Sequence, residues 1–291
     1  NKLSGLVSIK SKIKELNFFE NTYNDQEFEI NFKGNNIDAT FSGKDLNGII
    51  KVDETGFMRI DVFDTKFEFK GLDIVESQSN FDIEDINLRF VGKNIQTYDD
   101  LFQDIDFYLL RNEKITTIDN INVSSKNLNI GPYDRNEKAY ISYNRMNDMY
   151  KVRGSYKINN ENTPLKALID YDFEYLSTNL NVQWIGIDQL KNIEGNVDFL
   201  LKDFKSNTEI PNSAFLRALR IFNLNAIIEN INNETNIASS NLYINRAEGN
   251  FYIGQNRALI SQPIKIETSE AKMRWQGDIL KDPDGLLDNL N

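Results

Sequence analysis

The sequence contains no cysteine and no histidine, and only 5 of its 291 residues are proline. Without cysteine and histidine the chain has no disulfide, no Ser-His-Asp or Cys-His nucleophile system, no zinc site of the ordinary type and no haem or iron–sulfur ligation. Acid–base chemistry would fall to carboxylates, lysine or tyrosine. The sequence therefore predicts no catalytic residue, no metal site and no cofactor.

The sequence also has no basic block and no long apolar run. It carries 33 basic and 44 acidic side chains, a formal net charge of −11, which argues against a nucleic-acid partner because phosphates require clustered lysine and arginine. No stretch of about 18 apolar residues is available to span a membrane as a helix. The chain begins at Asn1 and shows no signal peptide, so we interpret it as a piece of a longer polypeptide or as a processed product, and we expect any anchor or export signal to lie upstream of it.

Strict alternation of apolar and polar residues is the dominant pattern of the chain. In "FEINFKG", Phe28, Ile30 and Phe32 fall on one side of a strand, and Glu29 and Asn31 on the other. Glycine and asparagine turns separate such segments at intervals of about 8–12 residues, as in antiparallel hairpins and meanders. The sequence predicts an all-β chain, with the same alternation at 37–41, 86–90, 105–109, 150–158, 169–175, 180–184, 197–201, 251–253 and 264–266.

Two segments break this period. The stretch 212–231, with Asn212 or Ser213 as N-cap, has the spacing of one or two short helices. We expect it to pack as a cap at one end of the sheet through its apolar residues Phe215, Leu219, Phe222, Ile227, Ile228 and Ile231. The segment 97–104 is predicted to form a helical turn.

The pattern predicts about 15 to 18 strands, each with one apolar face. These apolar faces must be covered from water by protein or by a ligand. Three architectures are compatible with the pattern: a β-sandwich whose inner faces cover each other, a closed barrel, and a long sheet curled into an apolar groove. The groove needs a partner, because a large apolar patch is not tolerated in water. Periodicity alone leaves all three open.

Acidic clusters and aromatic side chains offer two further sites. Carboxylates at 53–64, 82–85 and 98–106 are the residue type that glycoside hydrolysis uses, but most occupy the polar phase of a strand or turn, which favours solvent-facing positions. Trp184, Phe251, Tyr252 and Trp275 are the residue types of a sugar-stacking platform, but their strand positions favour a core or groove lining.

The C-terminal half resembles the C-terminal region of the AsmA-like family of bacterial envelope proteins, particularly its YhdP branch. The resemblance runs through "LNVQWIGIDQLKNIEGNVDFLLKDF", the leucine-rich "SAFLRALRIFNLNAII" and the closing "INRAEGNFYIGQNRALISQPIKIETSEAKMRWQGDI". It covers roughly residues 120–291, a β region with the helical insertion near 212–231. Residues 1–119 match only in style and are expected to form a β-rich segment of the same elongated sheet.

The resemblance implies a bridge-like lipid transfer protein of the periplasm, tethered to the inner membrane by a segment not present here. Phospholipid is then the partner, held by its acyl chains in an apolar groove and conveyed between the inner and outer membranes, with outer-membrane components as further partners. The expected groove lining is Val182, Trp184, Val197, Phe199, Phe251, Ile253, Ile264, Ile266, Met273 and Trp275. The alternative is a non-catalytic β-sandwich scaffold that assists outer-membrane assembly.

Overall fold

The computed structural model describes residues 7–18, 21–67, 86–97, 100–159, 173–186, 192–206, 242–269, 271–281 and 287–290. The chain divides into two compact units, Asn1–Lys126 and Asn127–Asn291. The division falls near residue 120, where the resemblance to the AsmA-like family begins. Each unit is described by itself below.

The first unit is a meander of eight strands, each continuing the alternation that the sequence displays. Neighbours in sequence are neighbours in the sheet, and every pairing is antiparallel except that of the fifth and sixth strands, which run parallel. Among the described residues no ladder joins the first strand to the eighth, so the sheet of this unit is open. The strands are β1 (Val7–Phe18), β2 (Asn21–Lys33), β3 (Asn36–Ser42), β4 (Gly48–Val52), β5 (Met58–Lys66), β6 (Ile86–Gln96), β7 (Leu101–Arg111) and β8 (Ile115–Ser125).

The second unit is also an antiparallel meander. Its strands are β9 (Leu128–Gly131), β10 (Tyr140–Asn144), β11 (Met149–Asn159), β12 (Tyr175–Ile185), β13 (Glu194–Ser206), β14 (Leu242–Ile253), β15 (Arg257–Thr268), β16 (Lys272–Trp275), β17 (Asp278–Lys281) and β18 (Leu287–Leu290). β9 and β10 pair with the two halves of β11, and β16 and β17 pair with the two halves of β15. The ten strands therefore fill eight positions across the sheet.

The prediction of an all-β chain built as a long, mostly antiparallel meander is confirmed, and a closed barrel is not formed. The parallel pairing of β5 with β6 was not predicted. The predicted helical turn at 97–104 is wrong, because Leu101 already belongs to β7. Thr97 and Asp100 close a turn between β6 and β7, in which the Thr97 N–H donates to the Asp100 carbonyl at 2.8 Å. The predicted helical cap, with Phe215 to Ile231, lies outside the described residues.

Residues with a left-handed backbone conformation add one extra position within five strands, and the apolar face continues on either side of them. Five non-glycine residues within strands have φ between 45° and 55°, and all five are aspartate or asparagine, the types that tolerate this region best: Asp25, Asp64, Asn94, Asn120 and Asp203. Each lies where inward-facing side chains are three residues apart instead of two. Leu201 and Phe204, for example, are both buried on either side of the step at Asp203. The extra residue turns outward, so the apolar residues beyond it still face inward.

Asn120 provides a direct test of this backbone role, because its side chain is exposed and its φ is 55°. We expect Asn120→Val to lower the free energy of unfolding by about 1–2 kcal/mol, since a β-branched residue is strained in the left-handed region. Asn120→Gly is expected to change it by only a few tenths of a kcal/mol. Urea unfolding followed by circular dichroism measures both variants, and equal stabilities would contradict the assignment.

Candidate functional site

The lining residues predicted from the sequence share one face of the second unit. The strand register places Val197 opposite Phe251, Ile266 opposite Met273 and Ile264 opposite Trp275. Val182 lies opposite Gly195, which in turn lies opposite Ile253. The alternation of the sequence therefore brings these positions together on a single sheet face.

This face of the second unit is closed to solvent. Val182, Val197, Phe251, Ile253, Ile264 and Ile266 are each between 1% and 6% exposed. They belong to two clusters of buried side chains, against which Trp184, Phe199 and Met273 pack as partly buried residues. For Trp275 the structure describes the backbone only. Side chains with so little exposed area offer no free surface to a lipid in this conformation.

Close packing supports the view that this face is a protein core. Gly249 leaves no room for a side chain, since a Cβ there would lie 2.8 Å from Cγ1 of Ile264 and 2.9 Å from Cε1 of Phe199. Tyr156 packs beside the larger cluster, where burial raises the pKa of its hydroxyl, and a hydrogen bond with Thr178 opposes that effect. Interiors are packed in this way when protein atoms fill the space.

The first unit presents its apolar face differently. Three cross-strand rows follow the ladder register from strand to strand, two of them over β1 to β8 and the central one over β1 to β7. We call this surface the apolar strip. Its outer row is Val7, Phe32, Ile37, Val52, Met58, Leu88, Leu109 and Ile118; its central row is Ile9, Ile30, Ala39, Ile50, Ile60, Phe90 and Phe107; and its inner row is Ser11, Phe28, Phe41, Gly48, Val62, Gly92, Ile105 and Val123.

The large side chains of the apolar strip are only half-buried. None of them is among the buried residues of the chain, and Val7 and Ile9 at the β1 edge are 43% and 51% exposed. With about 4.8 Å between strands and about 3.4 Å per residue, the strip measures roughly 34 Å across the strands and 14 Å along them. Partly accessible apolar side chains over a footprint of this size make the strip a candidate binding surface.

A small closed region bounds the strip beyond its inner row. Tyr23, Leu46 and Ile95 are the buried apolar side chains of the first unit's described residues. Beside them, Asp100 accepts hydrogen bonds from the Leu101 N–H at 2.8 Å and from the Ser125 hydroxyl. These contacts close one end of the sheet, so the open surface begins at the inner row.

The opposite face of the first unit is charged and internally paired. Arg89 holds Asp106 through two hydrogen bonds of 3.0 and 2.7 Å, which raise the pKa of Arg89. Lys10 lies 3.1 Å from Glu29, and hydrogen bonds from Lys10 and Asn31 lower the pKa of that carboxyl. Such a face is well hydrated, and its paired charges contrast with the apolar strip on the other side of the sheet.

Where the structure describes the acidic clusters, their carboxylates accept hydrogen bonds within turns or pair with neighbouring side chains. Asp53 accepts hydrogen bonds from the Thr55 hydroxyl at 2.6 Å, the Thr55 N–H at 2.8 Å and the Phe57 N–H at 3.1 Å, and these bonds lower its pKa. The cluster at 82–85 lies outside the described residues. Within the described ranges no group of three or more acidic side chains is arranged to hold a metal ion.

The described part of the chain contains no helix long and apolar enough to cross a membrane. No protein-family model, no curated protein and no solved structure matches the chain. The structural features of the two units therefore carry the functional argument.

Proposed function

We propose that this chain is a segment of an envelope lipid-transport protein, and that phospholipid acyl chains bind on the apolar strip of the first unit. The observation that carries the proposal is the set of three rows of mainly apolar residues, two across eight strands and the central one across seven, in which most large side chains are half-buried. The resemblance to AsmA-like proteins agrees with it. The predicted lining in the second unit stays a prediction, and we place the accessible surface in the first unit because the second is closed.

The dimensions of the strip suit hydrocarbon chains. The hydrocarbon core of a bilayer is about 30 Å thick, so one acyl chain spans about 15 Å. A strip roughly 34 Å long and 14 Å wide therefore holds more than one chain length. The rows contain one polar side chain, Ser11 at the β1 edge, so the bound part of a ligand is purely apolar.

The energetics favour a carrier over a tight receptor. Each buried CH₂ contributes about 0.8 kcal/mol, without any directional contact. A lipid held in this way shifts along the strip without breaking hydrogen bonds, because neighbouring rows offer equivalent contacts. Transport between the inner and outer membranes then requires no catalytic residue, and the charged opposite face keeps the segment soluble in the periplasm.

The packed core of the second unit favours a second candidate function for that unit. A face with side chains 1% to 6% exposed needs no ligand to be stable, as expected of a non-catalytic scaffold in outer-membrane assembly. The two candidates differ in one property. The carrier has lipid on the first unit, whereas the scaffold has none on either unit.

Native mass spectrometry of the purified full chain tests the proposal. We expect mass additions of one or more phospholipids, which disappear after extraction with organic solvent and return after incubation with phospholipid vesicles. A chain that remains lipid-free after incubation with vesicles would contradict the carrier function. A mass of two chains without lipid would instead indicate that a second copy covers the strip.

A further inference from the structure

A cleft of about 550 Å³ lies at one end of the second unit, beside the buried cluster against which Trp184 packs. It is built where β11 begins, β12 ends and β13 begins, together with the hairpin between β14 and β15. The register explains the assembly, since Met149 pairs with Ile185 and Gln183 pairs with Glu194. The cleft is thus formed mainly by ordered strand ends, and its volume is typical of small-ligand sites.

One wall of the cleft belongs to a stack of three aromatic rings. The centroids of Tyr143 and Tyr150 are 4.5 Å apart, and those of Tyr150 and Trp184 are 5.3 Å apart, with interplanar angles of 21° and 11°. The stack crosses β10, β11 and β12, and it fixes the plane of the indole ring. Trp184 therefore contributes a rigid apolar surface to the cleft.

The indole nitrogen of Trp184 is buried and has no hydrogen-bond partner in the described structure. An indole N–H is a donor only, and a buried donor without an acceptor is costly. The ring itself lines the cleft, so a ligand there contacts the apolar surface of the indole and not its buried nitrogen.

The other polar groups of the cleft have a consistent chemistry. Gln183, Asn192, Gln255 and Asn256 supply four amides, each with both donors and an acceptor, and Glu194 supplies one carboxylate. Hydroxyl groups also donate and accept, so they pair with amides in either direction. Among the described lining residues the charged side chain is the carboxylate of Glu194, which repels an anion.

We infer that this cleft binds a neutral, hydroxyl-bearing ligand, and that its class is a saccharide. The amides and Glu194 hydrogen-bond the hydroxyls of the sugar. The indole ring of Trp184 contacts its apolar C–H face. The inference is independent of the apolar strip, which lies in the other unit.

Saturation-transfer NMR on the full chain tests the inference with three probes: maltose, cellobiose and N,N′-diacetylchitobiose. We expect saturable binding of at least one of them. Trp184→Phe keeps an aromatic ring in the stack but presents a smaller apolar surface to the sugar, and it is expected to weaken binding about tenfold. Asn256→Ala removes one amide from an exposed hairpin and is expected to weaken binding without disturbing the fold.

Gln262→Ala is the matched control, because Gln262 is an exposed amide on β15 outside the cleft. Its binding is expected to equal that of the unaltered chain. Failure of all three probes to bind saturably, as expected if the cleft holds only water, would overturn the inference. Binding that is unchanged in both Trp184→Phe and Asn256→Ala would overturn it as well, and Asn256→Ala decides the matter if Trp184→Phe does not fold.

Discussion

Replacing Ile266 by lysine is expected to lower the stability of the second unit by about 4 kcal/mol or more. Ile266 is 1% exposed and lies in the larger buried cluster, beside Ala247 and Met273 in the strand register. An ammonium group there has no described acidic partner on its own face, and burial of an unpaired charge is among the most destabilising substitutions known. Native domains are stable by only about 5–15 kcal/mol, so much of the margin is lost.

The matched substitution in the first unit is Ile50→Lys. Ile50 lies in the central row between Ala39 and Ile60, and it is only half-buried. The aliphatic stem of lysine covers the neighbouring rows while its ammonium group remains in water. We therefore expect a loss of about 1 kcal/mol or less.

Tryptophan fluorescence in urea measures the second unit selectively, because both tryptophans of the chain, Trp184 and Trp275, belong to it. Ile266→Lys should shift that transition strongly, whereas Ile50→Lys should leave it unchanged. Limited proteolysis and far-ultraviolet circular dichroism report on the first unit. Equal losses of stability from the two substitutions would show that the apolar strip is itself a packed core.

Placing a lysine at Ala39 is expected to reduce phospholipid occupancy at least tenfold. Ala39 lies in the central row, between Ile30 and Ile50. A lysine among acyl chains costs about 2.5–3.5 kcal/mol at the centre of a bilayer, and a tenfold loss requires only about 1.4 kcal/mol. The lysine also interrupts the path along the strip, so transfer between donor and acceptor vesicles should fall in parallel.

Thr40→Lys is the control for this experiment. Thr40 is the next residue along β3, so its exposed side chain lies on the opposite, charged face, with Glu29 beside it in the register. Both variants gain one lysine and therefore the same added charge. Occupancy, measured by native mass spectrometry, should match that of the unaltered chain. Equal losses from the two substitutions would mean that lipid binds through net charge and not through the strip.

The strands and their apolar faces could be predicted from the sequence because period-two alternation has a single structural meaning once turns bound it. It places Ile30 and Ile50, both in the central row, on the apolar side of their strands. Three of the left-handed steps could also have been found, since an asparagine or aspartate stands just before an apolar residue and breaks the alternation by one position, as at Asn94 before Ile95.

The accessibility of each face could not be predicted, because alternation records which side of a strand is apolar and not what lies over it. Phe251 and Phe90 both occupy apolar positions of an alternating strand, yet Phe251 is buried and Phe90 is half-buried. The parallel pairing of β5 with β6 was hidden for a related reason, since it depends on the connection between distant residues. The cleft beside Trp184 depends on strand ends that come together only in the fold.

Lipid photocrosslinking shows directly whether phospholipid binds on the apolar strip of the first unit. A benzophenone amino acid is placed at Phe107, at Tyr108 or at Phe251 in the full chain, and each protein is irradiated with phospholipid vesicles. Phe107 lies in the central row, Tyr108 follows it on the charged face against Arg89, and Phe251 lies in the buried cluster of the second unit. If lipid binds on the apolar strip, we expect lipid adducts from position 107 and none from position 108 or 251. Adducts from position 251 but not from 107, or equal adducts from 107 and 108, would contradict it.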